Sequence, residues 1–270
     1  MEFKVIYLLT DFSEHAKNAS EYAINAFGTD ISYVLINSYE IRGSASTLIN
    51  LEEIAHQESL MHLEAERERL VALHPNLTIE AWSKSGSIVN VINKYMSDHE
   101  ADIVVTGSKG MSKLDEILIG STTSAIIRGV HKPILTVPLK AKFINMDQIV
   151  FGSDLVNANK AENMDLLDSF KKRYNGQISA ATVKSGGLEL TSEEQTLIRH
   201  LTEADAIDQV SIIRDEDISK GLMDFCEESS ADLLIVVAKH TSFFKRFFHK
   251  SVTKDLVNHE ALPILVLEDN

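Results

Sequence analysis

Short apolar runs alternate with longer amphipathic stretches from the first residues onward. Residues 3–9 (FKVIYLL) form a nearly unbroken apolar run, which predicts a buried strand. Residues 14–27 then place Ala16, Ala19, Ala23 and Ala26 at steps of three and four among polar residues, the spacing of one helix face. Residues 31–37 (ISYVLIN) predict a second strand. Residues 50–73 carry Leu51, Ile54, Met61, Leu63, Leu70 and Leu73 among many Glu and Arg, which predicts a long amphipathic helix. A third strand is expected over 77–83. Ser87 follows Gly86 as a candidate N-cap for a helix over 87–98, with Ile88, Val91, Ile92 and Tyr95 on its apolar side. Residues 102–106 and 133–137 (PILTV) complete five strands. Strands separated by helices imply a parallel sheet covered on both faces.

The pattern then recurs. Ala101-Asp102-Ile103-Val104-Val105 returns 130 residues later as Ala231-Asp232-Leu233-Leu234-Ile235. The same offset carries Pro133-Ile134-Leu135 onto Pro263-Ile264-Leu265, Ser121 onto Ser251 and Thr123 onto Thr253. The copies begin at an offset of 143, with Val5–Asp11 against Gln148–Asp154, so the second copy is 13 residues shorter inside. Most of that loss falls between its second and third strands. Strands are expected there over 148–152, 177–183, 209–213, 232–237 and 263–267. The reading is α/β: two tandem domains, residues 1–140 and 141–270, each an open, Rossmann-like parallel five-stranded sheet with helices on both faces.

Composition narrows the classes. The chain has 270 residues, enough for two ordinary domains, with 44% hydrophobic and 24% charged residues, close to globular averages. The formal net charge is −14, which argues against nucleic acid or an anionic membrane surface as partner. Cys226 is the one cysteine, so no intrachain disulfide forms and a reducing, cytoplasmic setting fits. The opening MEFKVIYLLTDF lacks the form of a secretory signal, and no apolar run reaches the ~18 residues of a membrane span.

The chemistry concentrates in residues 107–123. Gly107-Ser108-Lys109-Gly110 follows the fourth strand, and nine residues later comes Gly120-Ser121-Thr122-Thr123. Ligands of open parallel sheets bind beyond the carboxyl ends of the strands. Glycines let backbone amides approach a ligand closely. Gly120-Ser121 is placed to open a helix to about Arg128, whose first amides and the Ser121 and Thr122 hydroxyls favour an anion. By themselves the three glycines fit ordinary turns equally well. None of the 12 glycines precedes Lys and no two are two apart, so GxxxxGK[ST] and GxGxxG are both absent.

Gly107-x2-Gly110-x9-Gly120-Ser121 resembles the nucleotide-binding pattern G-x2-G-x9-G-[ST] of the universal stress protein family. The opening strand with Thr10-Asp11-Phe12-Ser13, the stretch ADIVVTGSKG and the closing PILTVP resemble the same family, and the resemblance extends over both copies. It implies the adenine-nucleotide α-hydrolase-like fold, ATP with or without Mg²⁺ as ligand, and pseudo-symmetric pairing of two such domains. Carried over, Asp11 would contact the ribose or adenine end. Thr106, Gly107 and Gly110 would line the loop beside ribose and phosphates, and Gly120, Ser121 and Thr122 would hold the phosphates. Asp11 also reads as a helix N-cap. Three positions depart from the family: Leu9 where Pro is frequent, Asn37-Ser38-Tyr39 where an apolar residue usually follows the second strand, and Thr106 where Met is frequent.

In the second copy Val237, His240 and Lys250 replace the three glycines, so that copy is expected to have lost ATP. Lys239, Lys245, Arg246, His249 and Lys250 read as a solvated basic face or an anion site. Phe243, Phe244, Phe247 and Phe248 read as packing or as a partner face. His56 and His62 read as surface groups and Cys226 as a buried small side chain. No catalytic set emerges. The expectation is an ATP-binding stress-response sensor or regulator with at most slow ATP hydrolysis, active as a homodimer of tandem chains with a protein partner. The alternatives are a scaffold of the same fold without nucleotide, and an ATP-using enzyme of the wider superfamily.

Overall fold

The structure is a computed structural model that describes residues 2–40, 48–108, 120–152, 161–184, 190–203, 205–238 and 261–268. It divides into two compact units, of residues 3–139 and 140–270.

In the first unit the strands are β1 (Val5–Leu9), β2 (Ser32–Tyr39), β3 (Thr78–Ser85), β4 (Ile103–Gly107) and β5 (Ile134–Val137). They are all parallel and lie in the order β3-β2-β1-β4-β5. Leu8 of the central strand is flanked by Leu35 and Val105. Alternate residues of a strand point to opposite faces. Tyr7, Leu9, Val34, Ile36 and Val104 pack with Val91 and Ile92 of α3 (Ile88–Met96) and Ile126 of α4 (Ser121–Gly129). Ile6, Leu8, Leu35 and Val105, on the other face, are equally buried, beneath α1 (Glu14–Phe27) and α2 (Leu48–Leu73). Each fully buried aliphatic side chain contributes about 2 kcal/mol.

The local signals have physical counterparts. The Ser13 hydroxyl accepts from the Ala16 amide at 3.3 Å and starts α1, whose row of small buried alanines lies against the sheet. Gly28 ends it at φ +77°, a conformation side chains disfavour, with its N–H on the Ile24 carbonyl. Ser87 caps α3 through the Asn90 amide.

The second unit repeats this plan. Its strands are β6 (Gln148–Gly152), β7 (Gln177–Lys184), β8 (Gln209–Arg214), β9 (Leu233–Ala238) and β10 (Ile264–Glu268), in the order β8-β7-β6-β9-β10. Its described helices are α5 (Ala161–Tyr174), α6 (Ser192–Glu203) and α7 (Ile218–Glu228). The repeated Asp does the same work in both units. Asp102 Oδ2 accepts from the Lys4 and Val5 amides at 2.6 and 2.9 Å. Asp232 Oδ2 accepts from the Asp147 and Gln148 amides, both at 2.9 Å. Each carboxylate ties the start of the fourth strand to the start of the first. The shortening of the second copy falls in α6, which has 12 residues where α2 has 26.

Two expectations change. β2 and β3 run two residues past their apolar stretches, pairing Ser38 with Lys84 and Tyr39 with Ser85, because backbone pairing and a buried polar network continue where the apolar residues stop. On α2 the inward row is Ser59, Leu63, Glu66 and Leu70, whereas Leu51, Ile54, Met61 and Leu73 are exposed. The helix is apolar on two sides, and the sequence pattern alone did not say which side meets the sheet.

Candidate nucleotide site

Strand order reverses between β1 and β4, so the connections leaving their carboxyl ends pass to opposite faces of the sheet, the place where open parallel sheets form a ligand crevice. On the β1 side the chain turns sharply. The Phe12 amide donates to Thr10 Oγ1 at 2.9 Å, and Phe12 takes φ +64°. Asp11 Oδ1 accepts from the amide and the hydroxyl of Ser13, at 3.1 and 2.5 Å. Asp11 is exposed. Ser13, not Asp11, is thus the N-cap of α1; Asp11 braces that cap with one carboxylate oxygen, and the other has no hydrogen bond among the described residues. Phe12 lies on the His62 ring of α2, 5.3 Å between centroids.

On the β4 side Thr106 is buried, and its hydroxyl donates to the Gly107 carbonyl at 3.3 Å. The same carbonyl accepts from Thr123 Oγ1 of α4 at 2.9 Å. The Gly120 amide donates to the Ser108 carbonyl at 2.8 Å, and Ser108 N–H to the Val137 carbonyl at 3.0 Å. These bonds pin the start of α4 against the end of β4. Gly120 is the N-cap residue, in extended conformation, and supplies no side chain to the first turn. Ser121 and Thr122 are exposed there, with the acceptor-less amides of a helix start. That end of α4 suits an anion.

Gly107 has a second neighbour besides the crevice: a Cβ there would lie 3.0 Å from the carbonyl carbon and Cβ of His15 on α1, so the glycine also serves the close packing of α1 on β4. Gly110 lies outside the described residues, as do His240, Lys250, Ser251 and the basic and Phe-rich stretch 239–250. Val237, the counterpart of Gly107, is buried on β9 and pairs with Leu267.

The sequence reading missed a buried polar network beneath this crevice. Asn37 Nδ2 donates to the Thr10 carbonyl at 2.7 Å, and the Thr10 amide donates to Ile36 O at 2.9 Å. Ser59 Oγ on α2 donates to Asn37 Oδ1 at 2.7 Å and lies 2.5 Å from Ser83 Oγ on β3. Asn37, Ser59 and Ser83 are all buried. The signal was present, as a polar Asn at the end of an otherwise apolar strand. His56 is half-buried against Tyr39, 5.9 Å between ring centroids, rather than a surface group, while His62 is exposed as expected. Among the described residues no group of three or more His, Cys, Asp or Glu is placed to hold a metal ion.

The model of the universal stress protein family matches residues 2–138 and again 159–268. A universal stress protein of Methanocaldococcus jannaschii is 29% identical over 157 residues, covering 51% of this chain and 96% of its own. The solved universal stress protein of Archaeoglobus fulgidus DSM 4304 shares the fold over 98% of this chain and 96% of its own, with a TM-score of 0.66 and 17% identity. An Arabidopsis thaliana family protein solved with AMP bound covers 49% of this chain and 90% of its own, at 19% identity and a TM-score of 0.36.

Proposed function

The chain belongs to the universal stress protein family, and from there we propose that its first unit binds one ATP between the ends of β1 and β4, as a regulator in the stress response. The observation that carries this reading is the start of α4, held at the mouth of the crevice by the Gly120–Ser108 and Thr123–Gly107 bonds. The Ser121 and Thr122 amides and hydroxyls, with Gly120, receive the phosphates. The unengaged oxygen of Asp11 accepts from the ribose hydroxyls. Thr106, Gly107 and Gly110 form the wall between them, and Mg²⁺, where it takes part, arrives on the phosphates.

The chemistry expected is weak. GxxxxGK[ST] is absent, and no general base stands out beside the phosphate end among the described residues, so turnover is slow ATP hydrolysis at most. The second unit, with Val237 in place of a glycine, binds no ATP and completes a tandem chain that pairs with another. Nucleotide occupancy is then read by a protein partner. A nucleotide-free scaffold is the second reading. It is favoured by Asn37, which puts a buried polar clamp where the family usually has an apolar residue near the adenine.

Nucleotide extraction and competition separate the two. ATP is expected to be released from denatured purified protein, or to bind once the protein is stripped. Ser121→Ala with Thr122→Ala should weaken it by about tenfold through two lost hydroxyl donors. Absence of any adenine nucleotide, bound or binding, would leave the scaffold.

A further inference from the structure

Seven large apolar side chains are markedly exposed among the described residues, and five of them lie on α2: Leu51, Ile54, Leu60, Met61 and Leu73. Ile54 and Met61 are 61% and 62% exposed, far from any core role. They are not scattered. Leu51, Ile54, Met61 and Ala65, with Glu58 and Glu68 interleaved, advance in steps of three and four along the side of α2 away from the sheet. This is the spacing of a helix-packing seam. Over residues 51–68 it is about 26 Å long at ~1.5 Å per residue. α6, the counterpart in the second unit, carries no exposed large apolar side chain. The seam therefore belongs to the 26-residue helix of the first unit alone.

The border of the seam is acidic. Glu52, Glu53, Glu58, Glu64 and Glu68 are exposed on this helix. The two arginines are already committed within the chain: Arg67 to Glu64 at 2.5 Å, and Arg69 to Glu66 and Glu21 at 2.8 and 2.5 Å. Glu64 is thus held by arginine, Glu68 lies in the field of Arg67, and Glu58 lies 4.0 Å from the exposed His62 ring. We propose that this outer seam of α2 docks a basic amphipathic helix from a protein partner. Leu51, Ile54 and Met61 enter its apolar stripe, and the small Ala65 leaves room for a large side chain from the partner. Lys or Arg beside that stripe reach over to Glu58 and Glu68, which stand in line with the apolar residues of the seam. A second copy would set the same acidic border against itself. An anionic membrane surface is repelled likewise by a chain of net charge −14. The proposal does not depend on whether ATP binds.

The test uses the full chain and a synthetic helical peptide, with Leu at heptad a and d positions and Lys at the flanks, read by fluorescence anisotropy. Saturable binding is expected, lost at high salt. The double variant Ile54→Ser, Met61→Ser should weaken it at least about tenfold, and Glu58→Lys with Glu68→Lys should do the same. All four side chains are exposed, so melting temperature and circular dichroism should remain those of the parent, which separates lost docking from lost fold. Equal binding by both double variants, or by a peptide with Glu in place of Lys, would overturn the proposal. So would a self-association in sedimentation that Ile54→Ser, Met61→Ser abolishes, since the seam would then belong to a second copy.

Discussion

Asn37 on β2 joins the chain just past β1 to α2 with one amide group. Its Nδ2 holds the Thr10 carbonyl and its Oδ1 takes the Ser59 hydroxyl. Replacing it with Leu removes the side-chain donor to the Thr10 carbonyl and leaves Ser59 only its Ser83 contact, which costs about 2 kcal/mol. A matching drop in the urea midpoint with an unchanged slope is expected. Cys226 behaves in the opposite way, as a polar group neutralised by its surroundings. Burial pushes its thiol from 9.0 up to about 12. The Tyr7 phenol, buried beside Tyr95, rises from 10.0 to about 12. Both groups lose their protons more easily in the unfolded chain. Their contribution is therefore whole below about pH 9 and falls as pH rises toward 12. The urea midpoint should decline over that window, and Ellman's reagent at pH 8 should find Cys226 only after denaturation.

Among the helices, α2 was the least legible, for a physical reason. The alanine face of α1 and the Ser87 cap of α3 are one-sided signals, and both appear where the sequence places them. α2 has an apolar row on each side, and its buried row includes Ser59 and Glu66, residues that hydropathy assigns to water. They are buried because each has a partner. Glu66 is met by Arg69, which also reaches Glu21 on α1, and these carboxylates hold the guanidinium protonated well above its ordinary range. Arg69→Ala should cost about 3 kcal/mol by stranding a buried carboxylate, whereas Glu66→Leu together with Arg69→Met should cost much less. Equal losses in chemical denaturation would mean that the ion pair itself, not the stranded charge, carries the effect. Gly107 has a packing role that its place in a glycine pattern did not show: the backbone of His15 lies against it.

Across the whole chain, the repeat was the most legible feature, because each copy repeats residues that do the same job. Asp102 and Asp232 stand 130 residues apart and hold the same pair of amides. The helix start at Gly120-Ser121 was legible too, as a glycine N-cap followed by a helix to about Arg128. If only the first unit binds ATP, as proposed, the stoichiometry is one ATP per chain. Calorimetric titration of ATP into the stripped wild type and into Gly120→Asp puts the account at risk. Gly120 has an extended N-cap backbone that any residue adopts, and Asp caps helices well, so the variant should be at least as stable. Its carboxylate would occupy the first-turn amides and repel the phosphates. The account expects one site in the wild type and none in a folded Gly120→Asp. Undiminished binding in the variant would remove the start of α4 from the site.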